Sequence, residues 1–385
     1  MDCSKTVTKS GTPIKILIGG SPCTKWSIAQ KNGREVLPEG IGWELFENYR
    51  IAKEKFQPDI FLHENNKSAA QPIKDAIYSA LGGGKDSSVR LTHIDSALVL
   101  AQHRQRFYVT NFGDIEQPKD RGILLRDVLE SDWTTDQANY YRLGSVVPIN
   151  TTADGKARTV KAQYHNSSMA NFVTNGGYPA TAVATPIRIG TIESNAKNKS
   201  HDSKQYRVYS PDGKATTLCG QGGGVGAKTG LYACPINEID GKPIYTVKNG
   251  LITIKDKQYP VKLRDGYYII RKLTPLECER LQTLPDGYTS GVSDTQRYRA
   301  IGNGWTAEVI IHILNHTLRG VPRDKELMVL SMYDGIATGR YCLDKMGFTN
   351  VKYYAYEIDP YAQKIAMSNY PDIVQCGDAF QVRNF

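Results

Sequence analysis

Cys23 stands in Gly20-Ser21-Pro22-Cys23, directly after the apolar run Ile14-Lys15-Ile16-Leu17-Ile18. A thiolate is a strong nucleophile, but a thiol of ordinary pKa near 8.5 is only about 3% ionised at neutral pH. It needs backbone dipoles or a neighbouring cation; without them a lone cysteine is a small packing residue. A second run, Asp59-Ile60-Phe61-Leu62-His63, ends in Glu64-Asn65-Asn66, which brings a carboxylic acid to the end of a neighbouring strand. Gln102-His103-Arg104-Gln105-Arg106 leads into a third run, Phe107-Tyr108-Val109. Alternate residues of an extended segment point to one side. Arg104 and Arg106 can therefore hold Glu64 or a substrate carbonyl oxygen, or serve as structural salt bridges. Nucleophile, acid and cations together are the equipment of covalent catalysis.

A second constellation lies at the far end. Val329-Leu330-Ser331-Met332-Tyr333 reads as a strand into Asp334-Gly335-Ile336-Ala337-Thr338-Gly339, followed by a helix over 338–346. Gly335 and Gly339 would let a ligand approach the backbone at a helix N-terminus. The strand Lys352–Tyr356 ends at Glu357, about 22 residues past Gly335, the spacing of a carboxylate that grips ribose hydroxyls. The strand Ile373–Cys376 ends at Gly377-Asp378. The pattern G-x-G-x-x-G is broken here. That disfavours a nicotinamide oxidoreductase and favours a nucleoside without a pyrophosphate, such as S-adenosylmethionine. A glycine turn that merely packs is the alternative.

Strands alternating with helices predict an α/β fold with a doubly wound, mostly parallel sheet. Residues 1–128 and 271–385 have this character. Residues 129–270 do not: Asn, Thr, Gly, Tyr and Lys dominate, with short β pieces at Tyr206–Tyr209 and Leu251–Ile254 and a loop at Gly220–Gly226. This stretch reads as a smaller inserted domain, either a nucleic-acid face or a solvated insertion. After it, Thr274 is a candidate N-cap with Pro275 at the first helical position, and a further helix covers 306–318. A sheet begun at 329 needs more strands than the chain then supplies. The missing ones stand at its beginning, so the order is read as a circular permutation, with 316–327 as the joining linker.

The 385 residues carry 48 Lys and Arg against 39 Asp and Glu, a net charge of +9, which suits a polyanionic partner. Seven cysteines, at 3, 23, 219, 234, 278, 342 and 376, form no C-x-x-C pair. This argues against a disulfide framework and against zinc, and for a reducing, cytoplasmic setting. No signal peptide and no apolar run near 18 residues is present.

Taken together, the motifs resemble those of the DNA (cytosine-5) methyltransferase family. Pro22-Cys23 with Ser27 is similar to its nucleophile motif, Glu64-Asn65-Asn66 to its Glu-Asn-Val, and Gln102, Arg104 and Arg106 to its Gln-x-Arg-x-Arg. Arg271, Leu273, Thr274, Glu277, Arg280, Leu281, Gln282, Pro285 and Asp286 resemble the helix that follows its recognition domain, and Gly302-Asn303 its Gly-Asn motif. Tyr333–Gly339, Glu357 and Gly377-Asp378 resemble its cofactor motifs. The wording Asp-Gly-Ile-Ala-Thr-Gly is similar to animal de novo methyltransferases and related phage and bacterial enzymes. Asn66 in place of Val, Thr24 in place of Gln, the bulky Trp26, and Gly304-Trp305 in place of Ser-Val depart from the pattern. The cyclic order departs as well.

The resemblance implies methylation of cytosine C5 in double-stranded DNA by a monomer, with S-adenosylmethionine as donor and no metal. It implies Cys23 as nucleophile, Glu64 at the ring nitrogen N3, Arg106 at the base carbonyl with Arg104 in support, and Asn65 as an organiser. For the cofactor it implies Glu357 on the ribose, Ile358 on adenine and Asp378 on the adenine amino group. Pro22, Tyr333, Asp334, Gly335, Ile336, Ala337, Thr338, Gly339, Asn303 and Trp305 would complete that site. The same core serves RNA cytosine methyltransferases, and a DNA-binding homologue without activity is a further alternative. An insertion of about 140 residues favours DNA readout. Cys23 and Gly335 are expected to face one pocket.

Overall fold

The computed structural model describes residues 11–27, 33–130, 142–146, 185–192, 206–220, 230–236 and 245–384. The expected strands form. They are β1 (Ile14–Gly19), β2 (Ile60–Asn66), β3 (Arg90–Asp95) and β4 (Gln105–Thr110) from the first part of the chain. Near its end come β13 (Leu327–Met332), β14 (Val351–Tyr356) and β15 (Val374–Gly377). All seven belong to one sheet, in the order β15-β14-β13-β1-β2-β4-β3. β1 pairs in parallel with both β13 and β2. Strands from opposite ends of the sequence thus meet in the middle of the sheet.

These strands read as unbroken apolar runs because both faces are covered. Ile16 and Ile18 of β1, Leu62 of β2, and Leu327 and Val329 of β13 pack into one core. On that side lie α5 (Ala307–Leu318), α6 (Thr338–Lys345) and α7 (Pro360–Asn369). Leu17, Phe61, Phe107 and Met332 point the other way, against α1 (Gly40–Phe56) and α2 (Gln71–Ala80).

The sheet is mostly parallel, as expected, with two antiparallel pairings at one edge, where β4 runs against both β2 and β3. β3 was not foreseen, because it carries polar residues at most positions and offers no apolar run. One expectation needs correction: the joining segment is shorter than 316–327. His316 lies in the last turn of α5 and Leu327 already pairs with Ile14.

The Thr274-Pro275 start holds. α3 (Pro275–Arg280) begins with a capping box, in which the Glu277 amide donates to Thr274 Oγ1 at 3.2 Å and the Thr274 amide to Glu277 Oε2 at 2.8 Å. α4 (Asp294–Asn303) follows. Between β4 and α3 stands a second sheet of eight short strands. They are β5 (Leu143–Val146), β6 (Arg188–Ile192), β7 (Arg207–Tyr209), β8 (Leu231–Ile236), β9 (Tyr245–Lys248), β10 (Leu251–Ile254), β11 (Lys257–Pro260) and β12 (Gly266–Arg271). It has its own apolar core around Leu231, Val247, Ile252 and Ile270. The expected β pieces are β7 and β10. The loop Gly220–Gly226 lies, beyond Gly220, outside the described residues.

Candidate active site

β1 delivers Gly20-Ser21-Pro22-Cys23 to the carboxyl edge of the sheet. A 3-10 turn over Cys23–Lys25 follows, with Pro22 as its N-cap and the Trp26 and Ser27 amides donating to the Cys23 carbonyl. Gly20 lies against β2: a Cβ there would be 2.7 Å from the Glu64 carbonyl oxygen and 2.9 Å from Glu64 Oε2. Asn65 ties the loop down by donating from Nδ2 to the Ser21 carbonyl at 2.8 Å and to Ser21 Oγ at 3.2 Å. Asn66 reaches Ser27 Oγ at 3.4 Å. The Asn that replaces Val is thus a second tie on the same loop. Trp26 is buried under α1, with its indole on Glu35 Oε2 at 3.1 Å.

Glu64 and Arg106 form an ion pair, Nε to Oε1, at 2.9 Å. Both side chains are about nine-tenths shielded from solvent. Arg104 does not join them. Its guanidinium donates to the carbonyls of Leu218, Gly302 and Gly304 at 3.2, 3.3 and 2.8 Å. Burial and then the nearby Arg106 charge pull it down to about 10. Of the two arginines, Arg106 therefore meets Glu64, and Arg104 holds backbone carbonyls instead. Arg104 precedes β4, so the alternation of a strand does not govern it.

Cys23 is half-buried. Burial raises its thiol above the ordinary value, and the Glu64 charge adds to this. Arg106 and Arg104 act in the opposite direction but are outweighed. Sequence reasoning missed one partner. Trp305 Nε1 donates to Glu64 Oε2 at 3.2 Å, which puts Trp305 beside the acid near the end of β2. Its place where Ser-Val is common was the available signal. Also unforeseen is a segment of the inserted region docked on the first part of the chain. Ala215 bridges to Gln102, Thr217 Oγ1 donates to the His103 carbonyl at 2.6 Å, and buried Lys214 donates to the carbonyls of Leu100 and Ile123.

The sequence model of the C-5 cytosine-specific DNA methylase family matches residues 2–319. The chain belongs to this family.

The orphan methyltransferase M.SPRI of Bacillus phage SPR is 34% identical over 394 residues, spanning 82% of this chain and 85% of that protein. Type II methyltransferase M.HhaI of Haemophilus parahaemolyticus is 23% identical over 304 residues, 78% of this chain and 73% of its own length. Among solved structures, the Entamoeba histolytica methyltransferase EhMeth covers 80% of this chain and 78% of its own at 12% identity, with a TM-score of 0.44. This chain is accordingly a DNA cytosine methyltransferase, and membership implies S-adenosylmethionine as methyl donor and DNA as substrate. Among the described residues, no helix is long and apolar enough to cross a membrane.

In this DNA methylase the matched stretch ends before β13, so the second constellation is read from geometry alone. Gly19 and Met332 are register partners; the Cys23 loop and the turn 333–339 leave the same sheet edge from adjacent strands. Tyr333 and Ala337 both have positive φ, 59° and 60°, and Gly335 has 67°. The backbone there is bent sharply, and no atom lies within 4 Å of a Cβ placed on Gly335. Glu357 braces the turn: Oε2 accepts from the Gly335 amide, and Oε1 from the amides of Ile358 and Asp359, each at 2.8 Å. Asp334 Oδ1 accepts from the Tyr353 hydroxyl at 2.6 Å. Its Oδ2 and Thr338 Oγ1 are buried with no hydrogen-bond partner among the described residues. Burial raises the Asp334 carboxyl to about 6. Ile358 is 69% exposed, and Asp378 is exposed with Oδ1 on the Phe380 amide.

Four residues expected at the cofactor shift. A Cβ on Gly339 would lie 2.3 Å from Ile18 Cδ1 and 2.6 Å from the Tyr353 hydroxyl, so this glycine serves helix-to-sheet packing rather than ligand approach. Ile336 and Ala337 have their side chains in the core. Asn303 is exposed at the end of α4, where a Cβ on Gly220 would collide with its amide. It therefore adjoins the inserted region.

Proposed function

We propose that the chain methylates C5 of a cytosine flipped out of duplex DNA, through a covalent bond between Cys23 and C6 of the base. The observation that carries this reading is the convergence of the Cys23 loop, Glu64 and Arg106 at one sheet edge. Enzymes that act on a base inside a duplex must extract it. Arg106 would hold the base carbonyl, and Asn65 would keep the nucleophile loop in place. Glu64 would share a proton with N3. That sharing offsets the carboxylate charge that raises Cys23, so arrival of the base would itself favour the thiolate. Sulfur adds to C6, the ring electrons are held through N3 by Glu64, and C5 gains nucleophilic character. After methyl transfer, C5 gives its proton to a water molecule, the electrons of that C–H bond re-form the C5–C6 double bond, the carbon–sulfur bond breaks with its electrons on sulfur, and the proton shared with N3 returns to Glu64, which restores the ring and the Cys23 thiolate.

S-adenosylmethionine, when bound, supplies an electrophilic methyl on a sulfonium. The residues present fit it. The unpartnered Asp334 Oδ2 and Thr338 Oγ1, the open space at Gly335, and exposed Ile358 line one bent turn. Glu357 would hold the ribose, Ile358 the adenine face and Asp378 the adenine amino group, with Pro22 and Tyr333 at the rim. Asp334 would take the ammonium of the methionine end.

We read the strand order as a circular permutation of the family, with residues 1–128 and 271–385 as two halves of one catalytic domain. Residues 129–270 would be the target-recognition domain. Cys23→Ala is expected to abolish methyl transfer to duplex DNA while S-adenosylmethionine still binds. DNA carrying 5-fluorocytosine is expected to trap a covalent adduct, because fluorine cannot leave as the proton does. Normal turnover by Cys23→Ala would overturn the reading. Parallel assays on tRNA separate DNA from RNA as substrate.

A further inference from the structure

We propose that Trp305 is a positioning residue for Glu64, holding the second carboxylate oxygen while Arg106 holds the first. The proposal rests on the reading of Glu64 as the group that engages the base. Arg106 Nε lies 2.9 Å from Oε1 and Trp305 Nε1 3.2 Å from Oε2. Guanidinium and indole are donors without acceptor capacity. Together the two contacts fix the plane of the carboxyl. Gly20 closes the third side, with room at Oε2 only because it lacks a Cβ. The carboxyl cannot turn away from the Cys23 loop.

Trp305 is itself pinned. Arg104 grips the carbonyls of Gly302 and Gly304. Gln282 Nε2 donates to the Ile301 carbonyl at 2.8 Å, and Gln282 Oε1 accepts from Thr306 Oγ1 at 2.8 Å. α5 begins directly afterwards at Ala307. The two arginines of the Gln-x-Arg-x-Arg segment thus act on one carboxyl by different routes. Arg106 touches it, and Arg104 fixes the backbone that presents Trp305. The plane that the indole N–H fixes is the plane the base then meets.

The test compares Trp305→Phe, which keeps a ring and loses the N–H, with Trp305→His, which restores a ring donor. For Trp305→Phe, kcat on duplex DNA is expected to fall about tenfold. Trp305→His should recover part of the rate. In a Glu64→Ala background, Trp305→Phe should lower the residual rate no further. An equal loss in both backgrounds, or an equal loss in the Phe and His variants, would overturn the proposal. Normal turnover by Glu64→Ala alone would remove the catalytic reading of Glu64, and this inference with it.

Discussion

Gly19 and Met332 are register partners across the β1–β13 junction, and a Cβ on Gly19 would lie 2.5 Å from the Met332 carbonyl oxygen. Backbone cannot yield as the end of a flexible side chain can. Gly19→Ala is expected to destabilise the protein by about 2 kcal/mol or more, read as a lower midpoint in urea unfolding. An unchanged midpoint would mean that the junction is looser than its register.

Cys23 responds to two opposite charges. Removing the Glu64 charge should lower its thiol pKa, and removing the Arg106 charge should raise it. At a fixed pH near 8, Cys23 in Glu64→Gln should be alkylated by iodoacetamide faster than in the parent, and in Arg106→Gln more slowly. In the parent, burial holds the thiol above its ordinary value, so alkylation should still be rising at pH 9. The same rate in all three proteins would show that neither charge acts on the sulfur.

The Asp334 carboxyl is raised by burial to about 6. A raised folded-state value means that the folded protein binds this proton more tightly than the unfolded chain. Its contribution to stability is therefore full below the ordinary carboxylate value and is lost as pH rises through about 6. A cationic ammonium prefers the ionised form. Affinity for S-adenosylmethionine is expected to rise between pH 5 and 7, roughly tenfold for full ionisation of one coupled group, and Asp334→Asn should flatten this dependence. Calorimetry across that range provides the check.

Tyr333 links the bent turn to α1. Its hydroxyl donates to the Leu45 carbonyl at 2.7 Å and accepts from Asn48 Nδ2 at 3.1 Å, and Asn48 Oδ1 accepts from Arg383 Nε at 2.6 Å. Tyr333→Phe leaves buried partners unsatisfied and should lower stability by about 1 kcal/mol. The turn is strained at Tyr333 itself, so cofactor affinity should fall with it. Arg383→Ala should give a milder form of both effects. A Tyr333→Phe protein with parental melting and affinity would show the link to be idle.

The interior strands were legible because burial on both faces writes itself as an apolar run, as in Ile14–Ile18 and Val329–Met332. The start of α3 was legible because a capping box is local. β3 was not: Arg90, Thr92, His93 and Asp95 interrupt any run, and its place depends on pairing with β4. Among candidate site residues, the types were readable and the partners were not. Trp305 meets Glu64 across 241 residues, a contact no spacing rule reaches. Arg104 and Arg106 look equivalent in sequence, yet they separate because the strand begins between them, at Gln105. Gly335 and Gly339 look alike in the same way, but one opens on space and the other is pressed on Ile18.

The β1–β13 pairing also dictates when the enzyme can exist during synthesis. Ile14 leaves the ribosome about 310 residues before its partner Leu327, a delay of about 15–60 s at ordinary elongation rates. Until then β1 has β2 on one side and an open edge on the other, and such edges recruit foreign strands. The turn 333–339 and the Cys23 loop cannot sit together before that edge is filled. Methyl transfer should therefore wait for the completed sheet, and the yield of folded protein should depend on how well the cell shields one apolar strand for that interval.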